Sequence, residues 1–203
     1  FPTRRSSDLG IHESQSLSFE MQIGSHAGFA KQLAPMLRDA FGDQLAFEAV
    51  RSEAAALSAK PLGEALKAAG TKLVMTVGGA SGPLYGTLFM ALGKAMPENP
   101  GRADFAAAAR AAIDAVAMRG KSQAGQKTLL DVLEPALAAF NAGASLSMVA
   151  DAADTAAAGT IPMLAIRGRA SFLGERSVGH MDPGARSAAL IIRAVAQTLE
   201  PGT

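Results

Sequence analysis

Apolar residues recur three and four positions apart along almost the whole of this chain, and runs that alternate apolar with polar residues are scarce. That spacing follows the 3.6-residue period of a helix and gathers the apolar positions on one face. Leu62, Ala65, Leu66, Ala69 and Leu73 form one stripe, directly after Pro61, a residue suited to opening a helix. A second, behind Pro83, holds Leu84, Leu88, Ala91, Leu92 and Ala95, and a third holds Phe105, Ala109, Ala112, Ile113 and Val116. Leu129, Val132, Leu133, Leu137 and Phe140 make a fourth, with Pro135 as a candidate kink. A fifth runs roughly from Ser147 to Arg167 across Pro162, and a sixth holds Ala185, Ala188, Ala189, Ile192, Val195 and Leu199. Upstream, Phe47, Val50, Ala54 and Leu57 give another, and Phe29, Leu33 and Leu37 a weaker one disturbed by Pro35. The expected fold class is all-α, with about eight antiparallel helices in an up-and-down barrel or bundle. Residues 72–77 would also suit a strand, but one without partners.

At 203 residues, 49% of them hydrophobic and 18% charged, the chain is long and apolar enough for one domain with a real core. Its net charge of +1 and scattered basic residues argue against a nucleic-acid partner, which calls for a clustered basic face. The lack of cysteine removes disulfides, thiolate metal sites and cysteine nucleophiles, and is compatible with the cytoplasm. No segment has the pattern of a signal peptide, so a cytoplasmic location is expected. Residues 73–93 carry no charge and approach spanning length, but the run Gly78-Gly79-Ala80-Ser81-Gly82-Pro83 at their centre would free backbone groups that lipid cannot satisfy. No membrane partner is expected. Residues 1–9 read like the translation of a sequencing adapter and are set apart from the fold as an artefact.

Three polar, glycine-rich segments interrupt the helical pattern: residues 78–83, 119–127 and 168–184. Each opens a helix, and one further helix separates the helices they open. In an up-and-down arrangement all three should meet at one end, with three helix N-termini facing one site. A helix N-terminus offers unpaired N–H groups and partial positive charge, which suit an anion. Glycines let the backbone approach a phosphate, and Lys121, Lys127, Arg169 and Arg176 add cations. The sum points to a phosphate or nucleotide site, although each segment alone also reads as an ordinary turn.

Other chemistries find little support. Gly125-Gln126-Lys127-Thr128 echoes the end of a P-loop without its upstream glycine and strand. Ser81 and Ser171 lie outside any Gly-x-Ser-x-Gly elbow, so both read as backbone or phosphate contacts. The histidines are His12, His26 and His180, with no paired spacing, so no zinc site is expected. His180 reads equally as a brace for its loop. Asp131 and Glu134, one turn apart, read as a solvated face or a cap. No residue is singled out as catalytic.

Two of the segments lie in longer motifs. Val77-Gly78-Gly79-Ala80-Ser81-Gly82-Pro83-Leu84-Tyr85-Gly86-Thr87 resembles a signature of the dihydroxyacetone kinase L subunit, and so does the run from Gly168-Arg169-Ala170-Ser171 to Gly179-His180-Met181-Asp182-Pro183-Gly184-Ala185. Arg119-Gly120-Lys121 and Gly125-Gln126-Lys127-Thr128 fall between them in the family's order, and the similarity extends from about Phe47 to Leu199. The resemblance implies an eight-helix barrel that holds ADP or ATP at one end. It implies phosphoryl transfer to dihydroxyacetone held by a partner K subunit or domain. The donor would be ATP or, in some bacterial systems, a phosphotransferase-system phosphoprotein. By matching position, Ala80 and Ser81 would meet the phosphates, Gly120 and Leu129 would line the pocket, and Arg169 with the Asp182-Pro183-Gly184 turn would complete it.

One family feature has no counterpart. An aspartate-rich loop of the style Gly-Asp-x-Asp-His-Gly, which holds magnesium, should precede the helix containing Phe47. Here the stretch ahead of Phe47 carries only Asp39 and Asp43, and Ile23-Gly24-Ser25-His26 is too far upstream, with Glu20 the only nearby acid. Residues 10–46 are therefore read as divergent or misassembled, and residues 47–203 as the nucleotide-binding domain. No metal ligand is assigned. The expectation is a kinase subunit impaired by loss of its metal loop. The alternatives are a non-catalytic nucleotide-binding regulatory module and a bare helical interaction domain.

Overall fold

The computed structural model describes Leu57 and residues 60–199 of the chain. Between Leu62 and Leu199 these form six α-helices and one 3-10 segment: α1 Leu62–Thr76, α2 Ser81–Ala95, α3 Arg102–Gly120, α4 Leu130–Asn141, α5 Leu146–Gly159, the 3-10 segment Arg169–Ser177, and α6 Pro183–Leu199. No strand occurs among the described residues, and 72–76 belong to α1. The helices expected around Phe29 and Phe47, the rest of residues 1–56, His12 and His26 lie outside the described residues.

Successive helices pack on one another from α1 to α6, and α4 also touches α6. The core centres on α4, where Leu130, Val132, Leu133, Ala136 and Leu137 are buried against Val116 and Ile113 of α3, Val149 and Ala153 of α5, and Ala185, Ala188 and Ala189 of α6. Alanine on the inward faces of α3, α5 and α6 keeps these helices close at little cost in side-chain entropy.

Local signals set most boundaries. Ser145 caps α5 by accepting from the Met148 N–H at 3.2 Å. Helix α2 begins at Ser81, two residues ahead of Pro83, so Pro83 stands inside the first turn, where its missing N–H costs nothing. Pro135 lies within α4. At the far pole, Arg102 of α3 donates to the carbonyls of Phe140 (2.6 Å) and Ala144 (2.7 Å) and stacks 4.0 Å over the Phe140 ring, closing the end of α4.

The fifth helix departs from expectation. It stops at Gly159, and residues 160–167 run through a turn and irregular backbone instead of continuing the helix to Arg167. Long-range polar bonds override the apolar spacing. Thr160 is fully buried and its hydroxyl accepts from the Asp182 N–H at 3.0 Å, while the carbonyls of Ile161 and Met163 turn toward Lys127.

Candidate functional site

Helices α2, α4 and α6 all begin at one end of the bundle. Gly120, at the close of α3, lies against Leu84 in the first turn of α2; a Cβ there would come within 3.4 Å of Leu84 Cδ2. Gly184, in the first turn of α6, lies against Leu129, with a Cβ position 3.4 Å from the Leu129 backbone nitrogen. Tyr85 joins α2 to α6: its hydroxyl donates to the Gly184 carbonyl (3.2 Å) and shares a hydrogen bond of 2.9 Å with Ser187. Ser81, one turn ahead of Leu84 and Tyr85, thus stands at the same end as Gly120, Leu129 and the Asp182-Pro183-Gly184 turn. Ala80 is exposed just before α2, after Gly79, whose φ of 71° makes the reversal out of α1.

The turn at α6 follows directly from its sequence. Asp182 precedes Pro183 and accepts from the Ala185 N–H at 2.7 Å, the geometry of an N-cap aspartate with proline at the first helical position. Asp182 is only 7% exposed. Burial is the main cause that pushes its carboxyl up from 3.8 to about 6; the bond from Ala185 acts against the rise, nearby Asp131 adds to it, and Lys127 opposes it. Burial likewise pushes the Tyr85 phenol up, so it stays a neutral donor.

The folded chain therefore holds the Asp182 proton more tightly than the unfolded chain. The stability this gives is complete below about 3.8 and is lost as pH rises through about 6, a swing of about 3 kcal/mol. Asp182→Asn keeps an acceptor for the cap and cannot ionise. Urea unfolding from about pH 4 to about pH 7 should show wild type losing more stability than this variant. Parallel curves would exclude the effect.

The segment before α4 is built around a carboxylate. Asp131 is buried; one oxygen accepts from the Gly125 N–H and the other from the Thr128 N–H at 2.6 Å, while Thr128 Oγ1 accepts from the Leu130 N–H at 3.2 Å. Of the two readings of Asp131, a solvated face or a cap, this reciprocal bonding is the cap, and the Thr-x-x-Asp spacing was its signal in the sequence. Glu134 instead forms a two-point ion pair with Arg110 (2.6 and 2.8 Å) on a partly exposed face.

The four cations divide. Lys121, Arg169 and Arg176 are exposed, and Lys121 ends α3 in the left-handed region with φ 47°. Lys127 is 2% exposed and does not serve as a surface cation: its ammonium donates to the carbonyls of Met163 (2.9 Å), Ser177 and Ile161. Arg169 opens the 3-10 segment, whose approach is tied to the α4 loop where the Ile166 N–H meets the Gln126 carbonyl at 3.4 Å. Ser171 Oγ donates to the Gly168 carbonyl at 2.7 Å, a backbone role. His180 is exposed and bonds to none of the described residues. Sequence reasoning missed Tyr85, Thr160 and Ser177, because their partners lie far away in the chain.

No group of three or more histidine, cysteine or acidic side chains able to hold a metal occurs among the described residues. The two buried carboxylates at this end, Asp131 and Asp182, both accept from backbone N–H groups at helix starts. No described helix is long and apolar enough to cross a membrane.

The profile of the DAK2 domain matches residues 42–197, and that of the carboxypeptidase Taq (M32) metallopeptidases matches residues 1–58. The chain is 43% identical over 138 residues to the ADP-binding subunit DhaL of PEP-dependent dihydroxyacetone kinase 1 from Listeria innocua, covering 68% of each. It is 36% identical over 160 residues to the corresponding subunit of the Escherichia coli PEP-dependent kinase, covering 74% of this chain and 76% of that one. Among solved structures, the native dihydroxyacetone kinase of C. freundii superposes with a TM-score of 0.55 at 22% identity, over 97% of this chain and 35% of that one. That likeness concerns the fold, and this chain spans about a third of the solved kinase's length.

Proposed function

The chain belongs to the DAK2 domain family, and on that premise we propose that it is the nucleotide-binding subunit, or C-terminal nucleotide-binding domain, of a dihydroxyacetone-kinase-type phosphotransferase acting in the cytoplasm. The observation that carries the reading is the meeting of Leu84 with Gly120 and of Leu129 with Gly184 at the end where three helices begin. Three N-termini with exposed Lys121, Arg169 and Arg176 nearby suit the phosphates of ADP or ATP. Ala80 and Ser81 take the phosphates, Gly120 and Leu129 flank the rest of the nucleotide, and Arg169 and the Asp182-Pro183-Gly184 turn complete the enclosure.

The ketose is held by a partner. Phe172, 88% exposed, together with exposed Leu164, Ile166 and Val178, gives the segment over this end an apolar character suited to docking a K subunit or domain. The donor is ATP or a phosphotransferase-system phosphoprotein. Residues 10–46 are divergent or misassembled with respect to the kinase domain, a reading supported by the match of residues 1–58 to a different family, and residues 1–9 are an adapter artefact, a reading carried by their sequence alone. Magnesium is the family's cofactor, and its aspartate loop is missing from this sequence. That gap favours the second reading, a nucleotide-binding module without catalysis. Mixing the chain with a K subunit, dihydroxyacetone and ATP separates the two through formation of dihydroxyacetone phosphate. A thermal-shift titration with ADP tests both together, since a ligand of the folded state alone raises the melting temperature. An unmoved melting temperature at millimolar ADP would leave only the interaction-domain reading.

A further inference from the structure

Residues 160–182 are the longest stretch between described α-helices; Ala165 within them is buried and Met181 near their end packs against the core. The 3-10 segment inside them bends at Gly174, with φ 55° and ψ −132°. Within the stretch, Ser177 Oγ accepts from the Ala165 N–H (2.9 Å) and donates to the Gly174 carbonyl (2.7 Å), and the Gly179 N–H meets the Ile161 carbonyl (2.8 Å). These bonds close the stretch on itself. Its bond to the α4 loop through Ile166 is long, at 3.4 Å, and Thr160 ties only its two ends together.

Lys127 adds a strut from the loop ahead of α4. Its backbone is left-handed, with φ 60°, a region that costs an ordinary side chain about 1 kcal/mol or more. The bend drives its side chain inward, where one ammonium reaches Ile161 and Met163 at the start of the stretch and Ser177 near its end. An ammonium has three donors and no acceptor, and three carbonyls take them. Burial pulls the Lys127 ammonium below the usual lysine range, and nearby Asp182 opposes that fall. We propose that Lys127 is a positioning residue: it fixes the segment carrying Arg169 over the end of the bundle where Leu129 and Gly184 meet. Its consequence for ligand affinity rests on the nucleotide-binding reading, whereas the strut itself does not.

The test uses the whole chain and two variants, Lys127→Met, which keeps the length and loses every donor, and Lys127→Gln, which keeps a donor without charge. Hydrogen exchange is read at the amides of 165, 166, 178 and 179 against those of 113 and 116 in the core of α3. In Lys127→Met the first set should exchange faster by roughly one to two orders of magnitude relative to the second, with Lys127→Gln between. ADP affinity, by calorimetry, should fall roughly tenfold or more in Lys127→Met and recover partly in Lys127→Gln. Exchange that rises equally in both sets, or in neither, overturns the strut, as does failure of both variants to fold. Altered exchange with no ADP binding by wild type would uphold the strut and remove the nucleotide reading. Altered exchange with unchanged affinity would uphold nucleotide binding and overturn the positioning role.

Discussion

Replacing residues 10–46 with a segment that carries three aspartates in the family's magnesium-loop pattern should raise phosphoryl transfer by roughly three orders of magnitude or more in the presence of a K subunit. The chain as it stands should show transfer close to background. Transfer of a phosphoryl group depends on positioning and on neutralising charge at the phosphates, with little covalent chemistry for the protein. Helix N-termini provide part of that neutralisation, at about 0.3–1 kcal/mol each when exposed and up to about 2 in favourable geometry. Three of them, with three exposed cations screened by solvent, add up to about the 4 kcal/mol of a millimolar dissociation constant. On this reading they fall short of the charge neutralisation that divalent ions supply in phosphoryl transfer.

Two measurements decide this. Calorimetry with ADP should give weak binding to the present chain that magnesium barely changes, and binding at least tenfold tighter with magnesium in the replaced chain. A coupled assay for dihydroxyacetone phosphate should track the same difference. Tight, magnesium-dependent binding by the present chain would defeat the argument, since some set of carboxylates would then be holding the ion.

The helices were legible where burial follows the apolar period. Stripes through Leu62, Leu84, Phe105, Leu129 and Ala185 each became a helix within a few residues of the expected bounds. The shared end of α2, α4 and α6 was also legible, because alternation in an up-and-down chain fixes which ends coincide. What sequence could not carry was direction at long range. Ile161, Leu164, Ala165 and Ile166 keep helical spacing, yet Thr160 is held by Asp182 and the nearby carbonyls by Lys127. Lys127 looked like one more cation beside a glycine-rich loop. Nothing local announces a left-handed lysine whose acceptors lie 34 to 50 positions away.

The glycines of α1 and α2 were the least legible of all, and a methyl added there is expected to cost both stability and binding. Gly63 and Gly70 of α1 face Gly93 and Gly86 of α2 in antiparallel register. A Cβ on Gly70 would sit 2.7 Å from the Gly86 carbonyl oxygen and 2.8 Å from the Met90 nitrogen; one on Gly93 would sit 2.5 Å from the Gly63 carbonyl oxygen. The two backbones therefore touch, and no side-chain rotation relieves an added methyl. In a helix interior, alanine for glycine is worth about 1 kcal/mol in propensity. Against that, overpacking costs about 1–3 kcal/mol and more where backbone must move. Gly70→Ala should lower stability by about 2 kcal/mol net in urea unfolding. Gly159→Ala, at the exposed end of α5 with no atom within 4 Å of its Cβ position, should instead gain up to about 1 kcal/mol. The same chemical change thus takes opposite signs at two helical sites. The seam also fixes how α1 hands over to α2: a Cβ on Gly82 would lie 2.1 Å from the Val77 carbonyl oxygen, so the turn bearing Ala80 and Ser81 is folded tightly back on itself. Gly70→Ala should accordingly weaken ADP binding as well as folding, whereas Gly159→Ala should leave binding untouched. If both variants stabilised the chain alike, α1 and α2 would not meet backbone to backbone, and the tight turn bearing Ala80 and Ser81 would lose its support.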